Sequence, residues 1–194
     1  TAMSGWDDKR LTALKAMFEK RGKIFEKLDG EDKAGHDAKL AEGQELPESL
    51  KKLLQKGAKW RFDNFFEFDD GACNLYLTLP DETTCIFGDE DSRKEWLDEN
   101  KEGAAGENWA MVCSTSEFDY YFVNIEKTSK NFGQVNWIKN NGPEEKMFTP
   151  APFDKFLDAV EAWSKDSVTK KPDGDDPPEY EDLIEFMPSK RAKT

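Results

Sequence analysis

The residue types that most often perform catalysis or hold metals are scarce in this 194-residue chain. It has one histidine, His36, and three cysteines, Cys73, Cys85 and Cys113, with no Cys-x-x-Cys pair. His36 lies in a polar, glycine-containing stretch, so we expect a solvated side chain rather than a ligand or a base. The odd number of cysteines favours free thiols in a reducing compartment. The sequence therefore predicts no metal site and no cofactor.

Phosphate-binding and hydrolase motifs are also missing from the sequence, which has no GxxxxGK[ST], GxGxxG, HExxH or GxSxG. An enzyme that uses carboxylates alone is the last-ranked hypothesis, because His, Cys and phosphate-loop chemistry are missing. With 41 acidic residues, two will face one another somewhere by chance, so a pair of carboxylates is not diagnostic. The acidic run at 88–91 lacks the alternating ligands and closing Glu of a Ca²⁺ loop. We interpret it as a charged turn before a helix.

Negative charge is concentrated in one part of the chain. The net charge is −13, and residues 63–107 hold 14 acidic against 3 basic side chains. Such a surface opposes binding to nucleic-acid phosphates and to anionic membranes. It would attract a basic protein partner. The alternative is that the excess acid only keeps the protein soluble.

A short proline motif lies near the C-terminus. Pro177, Pro178 and Tyr180 form a PPxY sequence in a linker-like stretch. Two prolines favour a polyproline II backbone, and a tyrosine after them is typical of ligands for WW domains. The alternative is a chance match of four residues. The basic end at 190–193 could act as a weak nuclear address or be only a solvated tail.

Hydrophobic spacing predicts four helices. The first covers Leu11 to Leu28, with Asp7 or Asp8 as its cap and Asp29-Gly30 as its end. The second follows Leu46-Pro47, because proline suits the first turn. A short third helix is predicted over 92–99 from a capping box. The last opens at Pro152-Phe153 and places Phe153, Phe156, Leu157, Val160 and Trp163 on one face.

Between these helices the apolar period changes from helical to two residues, which is typical of antiparallel strands. The strand-like runs are 60–62, 75–79, 85–87, 109–113, 120–125 and 132–138. Helices at both ends of a strand-rich middle indicate an α+β fold with a mixed, largely antiparallel sheet flanked by helices.

The composition divides the chain into three parts. Residues 1–45 form an N-terminal helix and connector, 46–164 the α+β domain, and 165–194 an acidic, proline-containing tail with a basic end. Within the tail, an apolar patch of Leu183, Ile184, Phe186 and Met187 could dock back on the domain. No apolar run reaches the ~20 residues of a membrane helix. We expect a soluble cytoplasmic protein, with a nuclear location as the alternative.

The order of these elements resembles the SUKH superfamily, which includes bacterial immunity proteins and the Smi/Knr-type fungal regulators of cell-wall assembly. Leu46-Pro47-Glu48-Ser49-Leu50 is similar to the family's opening Leu-Pro helix, and 109–113 with 121–125 is similar to its central hairpin. Phe132-Gly133-Gln134-Val135 resembles its Gly-x-Val strand, and Pro152–Leu157 its closing helix.

The resemblance implies a domain that has no catalytic constellation and acts by binding proteins. Bacterial members neutralise toxins, often nucleases or deaminases, and an acidic surface complements a basic toxin. The predicted contact surface, here called the acidic face, consists of Glu67, Asp69, Asp70, Asp89, Glu90 and Asp91, with Trp96 as a possible anchor. Trp96 could equally be a core residue. The alternative function is a regulatory scaffold of Smi/Knr type that recruits partners through its terminal extensions.

Overall fold

In the part of the chain that the structure describes, three α-helices and an antiparallel sheet form an α+β fold, as predicted. The computed structural model describes residues 5–26, 40, 42–57, 59–62, 75–78, 109–115, 119–139, 150–170 and 183–188. The helices are α1 (Asp8–Arg21), α2 (Glu48–Lys56) and α3 (Phe153–Thr169), followed by a 3-10 helix over Leu183–Phe186. The strands are β1 (Gly22–Phe25), β2 (Lys59–Phe62), β3 (Leu75–Thr78), β4 (Trp109–Thr115), β5 (Asp119–Asn124), β6 (Gln134–Lys139) and β7 (Ala151–Pro152).

The sheet is a meander, because its spatial order β1 to β7 is also its order in the sequence. All pairs among the described strands are antiparallel, so no parallel pair that would make the sheet mixed occurs in this part of the chain. The β4–β5 register shifts between Met111 and Cys113, which marks a bulge. The strand expected over 85–87 and the helix expected over 92–99 lie outside the described residues.

Helix α1 begins where the sequence predicts and ends earlier. The Asp7 carboxylate accepts a hydrogen bond from the backbone N–H of Arg10 at 2.8 Å, so Asp7 is the N-cap. The predicted helix to Leu28 is wrong, because the helix stops at Arg21 and residues 22–25 pair with β2. Glycine at position 22 disfavours continuation of the helix. The backbone N–H and C=O groups of residues 22–25 form hydrogen bonds with β2 rather than within a helix.

Helix α2 follows Pro47 as predicted and ends before Gly57. Pro47 also packs against the turn before β6, where Gly133 has a φ of +74°. A Cβ at Gly133 would lie 3.6 Å from the Pro47 ring, in a conformation that side chains rarely adopt. The Gly133 amide donates to Asn124, and its carbonyl accepts from Phe153, so this glycine joins β5, β6 and the start of α3.

Helix α3 presents its predicted apolar face to the core. Phe153, Phe156, Leu157, Val160 and Trp163 are all at most 2 % exposed. The helix continues to Thr169, so residue 164, the predicted end of the domain, falls inside it.

One hydrophobic cluster joins the helices to the sheet. Its largest fully buried members include Trp6, Phe18, Trp60, Tyr121 and Phe156. The rings of Phe18 on α1 and Trp60 on β2 meet edge to face with centroids 5.3 Å apart. Tyr121 on β5 and Phe156 on α3 lie 5.4 Å apart. The N-terminal helix thus shares its core with the central strands and the closing helix.

Candidate protein-binding surfaces

The acidic face lies outside the described residues, and only the ends of the segments that carry it are placed. Residues 63–74 connect β2 to β3, where Phe62 and Leu75 are register partners. Residues 79–108 connect β3 to β4 and leave from the other end of β3. The connection with Glu67, Asp69 and Asp70 and the one with Asp89, Glu90, Asp91 and Trp96 are therefore joined to opposite ends of one strand.

The charge of the described residues differs sharply from that of the whole chain. They contain 17 of the 28 basic and 14 of the 41 acidic side chains, which gives +3 against −13 for the chain. The acidic excess is therefore carried entirely by the remaining segments, of which residues 63–107 are the most acidic. Residues 63–107 account for −11 of the chain's net charge of −13.

The PPxY motif also lies outside the described residues, in the segment 171–182. The residues on either side of that segment are placed. Lys170 follows α3, and its carbonyl accepts a hydrogen bond of 3.4 Å from the Arg21 guanidinium. Leu183, on the far side, is buried. The predicted WW ligand is thus joined at both ends to the folded framework.

A polar cluster that the sequence analysis did not single out joins α1 to α3. The Arg10 guanidinium binds Glu161 through two hydrogen bonds, of 3.2 Å from Nε and 2.9 Å from Nη2. Its Nη2 also contacts Asp158 Oδ1 at 2.8 Å, and the guanidinium carbon stacks 3.9 Å above the Trp6 ring. The Trp6 indole N–H donates to Asp158 Oδ1 at 3.0 Å and to the Asp154 carbonyl at 3.1 Å. We call these four side chains (Trp6, Arg10, Asp158 and Glu161) the Trp6–Arg10 cluster.

The electrostatics of this cluster favour its charged state. Hydrogen bonding to Glu161 raises the pKa of the Arg10 guanidinium, although partial burial opposes the shift. The same hydrogen bonds lower the pKa of Glu161, again against the effect of burial. A carboxylate held ionised by a guanidinium is a poor general acid or base near neutral pH. The cluster is suited to fixing α1 on α3 rather than to proton transfer.

No sequence signal pairs these residues before the fold is known. Asp158 and Glu161 are three apart on α3, which indicates a shared helical surface, and Arg10 is in the first turn of α1. However, Arg10 lies 151 positions from Glu161 and 148 positions from Asp158 along the chain. Only the packing of α1 on α3 brings them together.

A second ionic cluster fixes the chain entering α2. The Lys51 ammonium lies 2.9 Å from Glu45 Oε1, and the Lys127 ammonium lies 3.5 Å from Glu45 Oε2. The hydrogen bond from Lys51 lowers the pKa of the Glu45 carboxyl. Beside it, the Glu45 amide donates to the Ile125 carbonyl at 2.8 Å. These groups are solvated, so they set the path of the chain and contribute little to stability.

Residues with reactive or metal-binding potential do not assemble in the described part of the chain. A search of those residues finds no group of three or more His, Cys, Asp and Glu side chains able to hold a metal. Cys113 on β4 is fully buried, and Cys73, Cys85 and His36 lie outside the described residues. Nor does any helix placed by the structure have the length and apolarity needed to cross a membrane.

The apolar patch near the C-terminus docks on the domain, a question that the sequence left open. Leu183, Ile184 and Met187 are 2 %, 9 % and 4 % exposed and belong to the hydrophobic cluster. Among the helices and strands, their 3-10 helix packs mainly against α3. Residues 183–187 are called the docking segment below.

Comparisons with protein-family models, with curated proteins and with solved structures each found no match to the chain.

Proposed function

We propose that the protein is a non-enzymatic, SUKH-like protein-binding domain that neutralises a basic toxin of nuclease or deaminase type, as an immunity or inhibitor protein, through its acidic face. The observation that carries this proposal is the separation of charge. Residues 63–107 have a net charge of −11, whereas the rest of the chain, more than three times as long, has only −2. A charge so unevenly placed is better suited to meeting a partner than to general solubility.

A rigid framework behind the acidic segments supports this role. Strand β3, from which both segments leave, lies between β2 and β4 in the sheet. On β2, Trp60 is fully buried, and on β4, Val112 and Cys113 are at most 1 % exposed. The strands to which both acidic segments are joined are therefore well packed, and binding residues in proteins are often carried by connections between such strands.

The dimensions of the sheet allow one partner to contact both acidic segments. Strand β3 has four residues, so its ends are about 10 Å apart. A partner that buries about 800 Å² on this protein covers a patch roughly 30 Å across. We therefore propose that two groups of acidic residues act on one basic surface. The first is Glu67, Asp69 and Asp70, and the second is Asp89, Glu90 and Asp91.

The first experiment is affinity capture from a lysate of the source organism at moderate salt, followed by association kinetics with the captured protein. We expect one stoichiometric basic partner. Its association rate should fall at least tenfold when ionic strength rises from about 0.01 M to 0.15 M, because the Debye length shrinks from about 30 to 8 Å.

Two charge-reversal variants of this protein test whether the partner binds at the acidic face. The test variant carries Asp89→Lys, Glu90→Lys and Asp91→Lys, and its matched control carries Glu19→Lys, Glu42→Lys and Glu48→Lys, three exposed acids of the framework. Both change the net charge by +6. The test variant should lose most of the association rate, and the control should keep it within about threefold. Equal rates for the two variants at every salt concentration would refute the acidic face.

The alternative, a scaffold of Smi/Knr type, is supported by the PPxY sequence of Pro177, Pro178 and Tyr180. The PPxY segment is joined at both ends to the folded framework, at Lys170 and at Leu183. Cutting the chain at Ser164 would be a poor test, because it removes the last turn of α3 and the docking segment. The variant Pro177→Ala/Tyr180→Ala leaves both intact. If the scaffold proposal is correct, this variant loses WW-domain partners, and the charge-reversal variant retains them.

A further inference from the structure

The docking segment is attached to the domain in the way a short linear motif is attached to its receptor. Its buried side chains are Leu183, Ile184 and Met187, at positions i, i+1 and i+4, while Glu185 between them is exposed. Leu183 and Ile184 lie on the 3-10 helix and Met187 directly follows it. A few apolar anchors on one short segment are also the means by which helical peptides bind grooves. Methionine suits such a site because its flexible side chain adapts to the surface it meets.

The segment has little structure of its own. It forms one turn of 3-10 helix, and the backbone hydrogen bond from Met187 to the Ile184 carbonyl at 3.1 Å lies within it. A single turn does not persist in water without contacts to the rest of the protein. The conformation of the segment therefore depends on the surface of α3 that receives it.

The receiving helix is held independently of the segment. The α3 helix ends at Thr169, and the next residue, Lys170, is hydrogen-bonded to Arg21 of α1. Toward its other end, α3 is fixed by Asp158 and Glu161 to Arg10. Since α1 anchors α3 at both places, release of the docking segment leaves the position of α3 determined.

We propose that the surface of α3 covered by residues 183–187 is an exchangeable peptide-docking site. Its occupant is this C-terminal segment, taken normally from the same chain and, when that copy is removed, from a second copy. The twelve residues 171–182 join the two partners. Such a short connection gives an effective concentration in the millimolar range, so the chain's own segment outcompetes a second copy at micromolar protein.

The test starts from the full chain with a protease recognition sequence substituted within residues 171–182. After cleavage, the two parts should remain together at about 100 μM and separate on dilution to low micromolar concentrations, which size-exclusion chromatography measures. The larger part should keep its near-ultraviolet circular dichroism after separation. If the small part stays bound at nanomolar concentration, or if its loss unfolds the larger part, the segment is an ordinary element of the core and the proposal is overturned.

Synthetic peptides define the specificity of the site. A labelled peptide of residues 179–194 should bind the separated larger part, and uncleaved protein should bind it at least tenfold more weakly because its own segment occupies the site. The peptide with Ile184→Asp should bind at least tenfold more weakly than the natural peptide. The matched peptide with Pro188→Ala, which changes an exposed position, should bind within twofold. Equal binding of the natural and Ile184→Asp peptides would overturn the proposal.

Discussion

Two parts of the chain, one before the sheet and one after it, pack against the same helix by different means. The N-terminal part uses the Trp6–Arg10 cluster, which combines a fully buried indole with charged hydrogen bonds of 2.8–3.2 Å. The docking segment uses three apolar side chains, two on its 3-10 turn and Met187 directly after it. Hydrogen bonds depend on direction, so the cluster fixes one register of α1 on α3. Apolar burial has no preferred direction, so it allows the docking segment to leave and return.

The largest expected effect of a substitution is at Trp6. Trp6→Ala empties a fully buried site and removes the donor to Asp154 and Asp158, so it should destabilise the protein by about 3–5 kcal/mol. Trp6→Phe keeps part of the volume and should lose less than half of that. Urea denaturation followed by circular dichroism measures both. A loss below about 1 kcal/mol for Trp6→Ala would show that α1 is not an integral part of the fold.

Substitutions in the docking segment should have a smaller and saturating effect. Ile184→Asp should cost about 1–3 kcal/mol, because burying a charge is unfavourable and the segment detaches instead. The combination Leu183→Ala/Ile184→Ala/Met187→Ala should cost no more than Ile184→Asp alone, since detachment limits the loss. Chemical denaturation of both variants provides the measurement. A loss above about 5 kcal/mol for the triple alanine variant would show that detachment does not limit the loss of stability. The docking segment would then be as integral to the fold as the N-terminal part.

Next in size is the ionic part of the Trp6–Arg10 cluster. Arg10→Met should cost about 1–2 kcal/mol at pH 7, a modest value because the Arg10 side chain is one-third exposed. The folded pKa of Glu161 is lowered, so its contribution is present above the ordinary Glu pKa of about 4.3 and is lost as pH falls through the folded value.

The pH dependence separates this ion pair from simple packing. Urea midpoints measured between pH 3 and pH 7 should fall less steeply with acid in Arg10→Met than in the natural protein. The raised pKa of Arg10 has no effect in this range, because an arginine loses its proton only at far higher pH. Parallel curves for the two proteins would mean that Arg10 acts by packing alone.

The smallest expected effect is at Ser164 on α3. Its hydroxyl is fully buried, and within the described part of the chain it has no hydrogen-bond partner. Ser164→Ala removes a polar group whose burial is uncompensated, so the stability should be unchanged or should rise by up to about 1 kcal/mol. A thermal melt of this variant measures the change. A loss above about 1 kcal/mol would show that the hydroxyl is satisfied in solution.

Local patterns in the sequence predicted much of the framework. A cap at Asp7 or Asp8, of which the structure shows Asp7, Pro47 before α2 and the apolar face of α3 were predicted correctly, because capping and helical periodicity depend on residues a few positions apart. The predicted end of α1 was wrong, because residues 22–25 pair with β2, which lies some 35 positions further along the chain. A contact at that distance overrides a helical pattern and leaves no local signal.

The sequence by itself determined most of the described helices and strands, the presence of an apolar patch near the C-terminus and the concentration of acid in residues 63–107, since all three depend on composition and spacing. Only the tertiary structure decided which surfaces meet. It brought Arg10 to Asp158 and Glu161, placed the N-terminal helix in the common core, and joined the two acidic segments to opposite ends of β3. Those arrangements depend on long-range packing, which a chain acquires only when its hydrophobic faces find one another.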